Sequence, residues 1–249
     1  HGNTNNIGKE SCKPCPQGKS RNNDLSQLQC QHCQNGFYQN ENASKKCYKV
    51  EPGNYLINCY NSKLQLGCRN SRICQRGYYC MNGEKKLCKP GTFASEEGSS
   101  HCTDCERGTF TNKTAQRLCT NCPVGTYQDA AAQIKCIPCP MDTFSPTTGN
   151  TAPAQCLKCT TDFALHTTTN YSVGVANASG CVCQGIDKTI EGNVGYYTNP
   201  TSTNKEDYCL RCPNGALCSN PNTKLATLGT KPGYWRSSTE SNVFHECLN

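Results

Sequence analysis

Residues 102–159, "CTDCERGTFTNKTAQRLCTNCPVGTYQDAAAQIKCIPCPMDTFSPTTGNTAPAQCLKC", hold four Cys-x2-Cys doublets beginning at Cys102, Cys119, Cys136 and Cys156. The starts lie 17, 17 and 20 residues apart, so the stretch is an internal repeat. The second Cys of a doublet is followed three residues later by Gly or Asp and five later by an aromatic, as in Cys105-Gly108-Phe110, Cys122-Gly125-Tyr127 and Cys139-Asp142-Phe144. Gly, or Asp in its place, suits a turn position with positive φ. The aromatic two residues on is predicted to lie against the neighbouring disulfide, giving each repeat a miniature apolar centre.

Outside this stretch the register continues. Cys33-Gly36-Tyr38 follows a doublet at Cys30, another doublet opens at Cys12, and Cys74-Gly77-Tyr79 and Cys88-Gly91-Phe93 repeat the pattern without a doublet in front. Between cysteines the chain is rich in Thr, Asn, Gln, Ser and Lys and has no sustained helical or strand periodicity, which predicts two-residue ladders, turns and irregular loops. The expected fold is a set of small disulfide-rich repeats, an elongated rod of tandem short β-hairpin and loop modules with little regular secondary structure. Four regions are read: repeats in 1–47, an irregular cysteine-rich module in 48–87, tandem repeats in 88–183 and a C-terminal cysteine-rich module in 184–249.

Composition requires such a scheme. Leu, Ile, Val and Phe supply 34 of 249 residues, whereas 24 are Cys. That apolar share is below the ~20% of ordinary domains, so no large core forms and cysteine must order the chain. Disulfides in an oxidising compartment or zinc in a reducing one could do so. Cys12-x2-Cys15-x14-Cys30-x2-Cys33 has the spacing of a four-cysteine zinc site, which keeps a multi-zinc interaction protein as a minor alternative. Against zinc stand the single cysteines at 47, 59, 68, 74, 80 and 88, the Cys181-x-Cys183 pair, and four Asn-x-Ser/Thr sequons at Asn42, Asn112, Asn170 and Asn177. The sequons are candidate glycosylation sites of a secreted chain. No apolar run is long enough to cross a bilayer, and the chain reads as a processed or partial one, so membrane attachment is expected only through sequence outside it.

No catalytic constellation is found: neither a nucleophile with a base, nor a carboxylate pair, nor a phosphate loop. The histidines, at 1, 32, 101, 166 and 245, are dispersed, and no calcium-loop spacing of acidic residues appears. The chain is read as a non-enzyme with no cofactor. Residues 1–125 carry 17 basic and 9 acidic side chains, and the remainder 8 and 9. The basic excess gathers at Lys63, Arg69, Arg72, Arg76, Lys85, Lys86 and Lys89, read as a solvated face, with acidic glycans as the partner it could attract. A concentrated basic helix or a basic stripe interleaved with stacking aromatics is missing, so no nucleic-acid partner is expected.

The segment Cys102–Cys159 resembles the cysteine-rich ephrin-receptor-like repeats, part of the wider growth-factor-receptor and tumour-necrosis-factor-receptor class. The resemblance is specific over 88–183 and looser over 12–47. The stretch "CLRCPNGALCSNPNTKLATLGTKPGYWRSS" resembles a segment that follows such repeats in large cell-surface proteins of ciliates and other protists. This implies a piece of a longer extracellular or cell-surface protein whose partners are proteins, copies of itself included. The family has no shared binding motif to transfer onto numbered positions.

Loop length is the physical warrant for a bonding scheme, since a six-cysteine module allows 15 connectivities. Joining the second Cys of one doublet to the first of the next gives Cys15–Cys30, Cys33–Cys47, Cys88–Cys102, Cys105–Cys119, Cys122–Cys136, Cys139–Cys156 and Cys159–Cys181, with loops of nearly constant size. Cys59, Cys68, Cys74 and Cys80 are left to pair among themselves, as are Cys183, Cys209, Cys212 and Cys218, with Cys12 and Cys247 left over. The expected function is an extracellular structural and adhesive repeat protein presenting glycosylated loops, with a ligand-binding receptor ectodomain as the alternative.

Overall fold

From Cys30 onward, the two residues inside each Cys-x2-Cys doublet lie in a strand. In a computed structural model describing residues 14–21, 29–186, 194–199, 201–202 and 204–248, Thr120–Asn121 pairs antiparallel with Thr109–Phe110, Ile137–Pro138 with Thr126–Tyr127, and Leu157–Lys158 with Thr143–Phe144. Each hairpin therefore joins the turn-and-aromatic segment of one repeat to the middle of the next doublet. Three residues apart on an extended chain, the two Cys side chains point to opposite faces. One closes the loop behind it and the other opens the loop ahead. Burial follows: Cys105, Cys122 and Cys139 are completely buried, whereas Cys102, Cys119 and Cys136 are half-buried. Among the described residues there are twelve such two-stranded sheets, three 3-10 turns and one π turn at Cys159–Phe163.

The chain forms two units, His1–Asp104 with Lys113–Leu118, and Cys105–Asn112 with Cys119–Asn249. Both use one grammar of main-chain bonds between repeats. In the second unit Gly108 N–H donates to the Gln128 carbonyl (2.8 Å), Gln128 N–H to the Asn150 carbonyl (2.9 Å) and Gly149 N–H to the Cys122 carbonyl (2.8 Å). In the first unit Gly77 N–H donates to Ala94 (2.8 Å), Ala94 N–H to Gln116 (3.0 Å) and Ala115 N–H to Cys88 (2.8 Å). Stacking therefore rests on the backbone, which is how a chain with so few apolar residues satisfies its N–H and C=O groups.

Turn positions three residues after the cysteine have positive φ, at Gly108 (78°), Gly125 (75°) and Asp142 (61°). At Gly125 a side chain is excluded twice over, because a Cβ would also lie 2.2 Å from the carbonyl oxygen of Gly174.

The expected apolar centre under each aromatic is only partly what forms. Phe144 is buried with Cys159 and Cys181, but Phe93, Phe110 and Tyr127 remain half-exposed. The enclosed position is the next residue, six after the cysteine: Gln39, Cys80, Ala94, Thr111, Gln128 and Ser145 are all buried, as is Leu56, six after Val50. Its N–H and C=O are committed to neighbouring repeats, as at Ala94 and Gln128, so backbone covers it on both sides. Where it is Gln, the amide is satisfied locally. Gln128 Nε2 donates to the Lys135 carbonyl (2.8 Å) and its Oε1 accepts from Ala130 N–H (3.0 Å), and Gln39 does the same with Lys46 and Glu41.

Residues 48–87 follow this grammar with two substitutions. Val50 stands in the second-Cys position: its N–H donates to Gly36 as Cys122 N–H does to Gly108, and it joins a cluster with Leu56 and Cys68. The insertion that follows is clipped by Cys59–Cys68. Cys74 closes onto Cys80, six residues on in its own repeat, and Cys212 onto Cys218 in the same way. Both sequences read Cys-x2-Gly-x2-Cys.

Candidate functional site

The covalent scaffold is the first functional feature. The structure bonds Cys15–Cys30, Cys33–Cys47, Cys59–Cys68, Cys74–Cys80 and Cys88–Cys102 in the first unit. In the second it bonds Cys105–Cys119, Cys122–Cys136, Cys139–Cys156, Cys159–Cys181, Cys183–Cys209 and Cys212–Cys218. Cys15, Cys30 and Cys33, three of the four cysteines with zinc-site spacing, are thus disulfide sulfurs without a thiolate to offer a metal. Cys12 lies outside the described residues. Cys247 is an exposed free thiol, and its N–H donates to the Gly233 carbonyl (2.8 Å) as a second Cys does in the repeats before it.

The loops carry the sequons. Asn42, Asn112, Asn170 and Asn177 are all exposed. The structure does not gather them at one place in the repeat: Asn42 precedes the left-handed residue Ala43, Asn170 is itself left-handed (φ 50°), and Asn177 caps a 3-10 turn by accepting from Ser179 N–H (3.1 Å).

The described histidines serve packing. His166 stacks on Tyr196 at 3.9 Å, His245 on Trp235 at 4.8 Å and His32 on Tyr60 at 4.5 Å, while His101 is exposed beside Ser100. His1 lies outside the described residues. His32 Nδ1 is buried without a hydrogen-bond partner, and burial of the ring, then the Lys19 charge opposite it, holds its pKa below the ordinary 6.5. Among the described residues no three His, Cys, Asp or Glu side chains are placed to hold a metal ion, and no helix is long and apolar enough to cross a membrane.

The basic residues of 63–89 lie mostly on exposed strand and loop positions of the first unit. Arg72 pairs with Tyr55 across one hairpin and Lys86 with Tyr79 across the next. Lys85 lies 4.1 Å above the Tyr78 ring and 5.3 Å from that of Tyr55, donating to Gln75 Oε1. Reading the sequence did not associate Arg117 with this group, because the stacking contact that brings it near is non-local.

Two overlapping segments, residues 91–132 and 108–156, match the sequence model of a family described as tyrosine-protein kinase ephrin type A/B receptor-like. No curated protein sequence matches the chain. Receptor-type repeats of this kind are non-catalytic modules, and the extensive disulfide bonding of the chain fits an extracellular location.

Proposed function

We propose that this chain, whose residues 91–156 carry ephrin-receptor-like repeats, is an extracellular, non-catalytic scaffold that spaces and presents loops for recognition by other surface proteins or by copies of itself. The observation that carries the reading is the division of labour within each repeat. Disulfides and main-chain bonds hold the repeat, and the buried position tolerates Gln, Thr, Ser, Ala, Leu or Cys. The scaffold holds the loops mainly through their main chain, so exposed loop side chains are free to vary with the partner. Glycans on Asn42, Asn112, Asn170 and Asn177 would shield parts of that surface and leave the rest for contact.

The test is secretion of the chain from eukaryotic cells, followed by glycosidase treatment, non-reducing peptide mapping and clustering of beads coated with the product. The expected result is a glycosidase-sensitive mass, the eleven mapped bonds and bead clustering. A chain that folds in a reducing cytosol with free thiols would refute the extracellular reading. Beads that stay dispersed would favour the second reading, a ligand-binding ectodomain, which the likeness to a receptor module supports.

A further inference from the structure

Segments 69–97 and 113–118 carry eight basic side chains against three acidic ones, most of the excess of a chain whose net charge is +7. Lys86 and Glu84 form an ion pair at 2.7 Å, so Glu84 is already neutralised. Beside Tyr78, which Lys85 covers, Gln75, Arg76, Tyr78, Glu97 and Arg117 line a recess of about 450 Å³.

Arg76 and Arg117 are 41 residues apart in the chain and meet because of the stacking. Gly77 sits against Ala115 so tightly that a Cβ on it would lie 2.2 Å from the Ala115 oxygen, and Ala115 N–H is tied to the Cys88 carbonyl at 2.8 Å. The scaffold thereby brings Arg76 and Arg117, both exposed, to the lining of one recess. Neither has a hydrogen bond or ion pair among the described residues. Glu97 brings one carboxylate to the recess against Arg76, Arg117 and, at its edge, Lys85, so a net positive charge remains that is complementary to a ligand bringing more than one negative charge. Guanidinium is the group that takes sulfate or carboxylate oxygens in pairs.

We propose that this recess, with Lys85 at its edge, binds an anionic glycan chain bearing sulfate or carboxylate groups. The choice among polyanions rests on the extracellular reading above, since the anionic lipid surface belongs to the cytoplasmic leaflet. The binding itself is measured on purified chain, so its failure is separate from any failure of secretion or disulfide formation.

The experiment is calorimetric titration of the full chain with a heparin octasaccharide and with an oligogalacturonate of equal length, at low and physiological salt. Phosphatidylserine vesicles and polyglutamate serve as competing classes. The octasaccharide or the oligogalacturonate is expected to bind, more weakly as salt rises, and the tighter of the two identifies the anion as sulfate or carboxylate. Arg76→Ala with Arg117→Ala should weaken that binding at least about tenfold, the loss expected from removing charged hydrogen-bond donors. Lys45→Ala with Lys46→Ala removes the same charge from exposed positions of the same unit and should change affinity less than about twofold. Should the double alanine variant misfold, Arg76→Lys with Arg117→Lys keeps the charge and must still weaken binding. Equal losses in the Arg and Lys45/Lys46 variants, vesicles or polyglutamate binding as tightly as the glycans, or no glycan binding at all would each overturn the proposal.

Discussion

Replacing Gly125 with Ala isolates what the stacking between repeats contributes. Gly125 has φ 75° and its absent Cβ would lie 2.2 Å from the Gly174 oxygen; Gly233 has φ 83° and open space where a Cβ would go. Both variants place Ala in the left-handed region, at about 1 kcal/mol each. In Gly125→Ala the Gly174–Val175 segment must also withdraw by about 1 Å to reach van der Waals distance. That withdrawal breaks Gly174 N–H to Cys139 (2.9 Å) and Ser145 N–H to Val175 (3.0 Å). Two backbone bonds at about 1 kcal/mol each bring the total near 3 kcal/mol. Hydrogen exchange followed by mass spectrometry reads this locally. Peptides covering 139–150 and 169–176 should exchange about a hundredfold faster in Gly125→Ala, and those of the 234–246 hairpin about fivefold faster in Gly233→Ala. Equal acceleration in the two variants would show that only the φ penalty acts and that the stacking bonds are not what holds the repeats.

Reduction should unfold the protein while a chelator leaves it intact, because each disulfide closing a 14-residue span contributes about 3 kcal/mol against very little apolar burial; loss of the circular dichroism signal in EDTA without reductant would contradict this. Gln128→Ala strands Ala130 N–H and the Lys135 carbonyl and should destabilise its loop by about 2 kcal/mol, read as faster exchange across 129–136, and a change below about 0.5 kcal/mol would refute the role given to that amide. His32, with a folded pKa below its unfolded value, binds fewer protons in the folded state. Its contribution is therefore complete above pH 6.5 and is lost as pH falls through the folded pKa. Protease cleavage in the 59–68 insertion that stacks on His32 should accelerate on acidification in the native chain but not in His32→Phe, and an NMR titration midpoint at or above 6.5 would overturn the argument.

The turn glycines, the doublets and the loop lengths were legible because each leaves a residue type at a fixed spacing. Asp142 at a left-handed turn is an example, found from its distance to Cys139 alone. The buried position six residues after the cysteine was not legible: main chain covers it, so Gln128, Ser145 and Leu56 serve equally well and no hydrophobic period marks it. Val50 was missed for a related reason, since valine fills the space of a half-cystine without the bond that would announce it. The Cys-x2-Gly-x2-Cys closure at Cys74 and Cys212 was visible as a string, yet its significance depends on knowing that position six points inward. The meeting of Arg76 and Arg117 follows from stacking geometry that no local spacing records.

The alternation of bridge and doublet from Cys88 to Cys156 has a mechanical consequence. Under tension, force passes through four bridges whose Cα atoms lie 5.7 or 5.8 Å apart and three links of three residues each. The taut length of that path is about 55 Å, against about 240 Å for the same stretch of polypeptide pulled straight. The loops closed by these bridges lie off this path and carry none of the load. Cys74–Cys80 closes on its own repeat and Val50 makes no bridge, so the polypeptide on either side of Cys74 stays in the line of force. A pulled molecule would extend there, and around the like closure Cys212–Cys218, before 88–156, whose path through the bridges is already short.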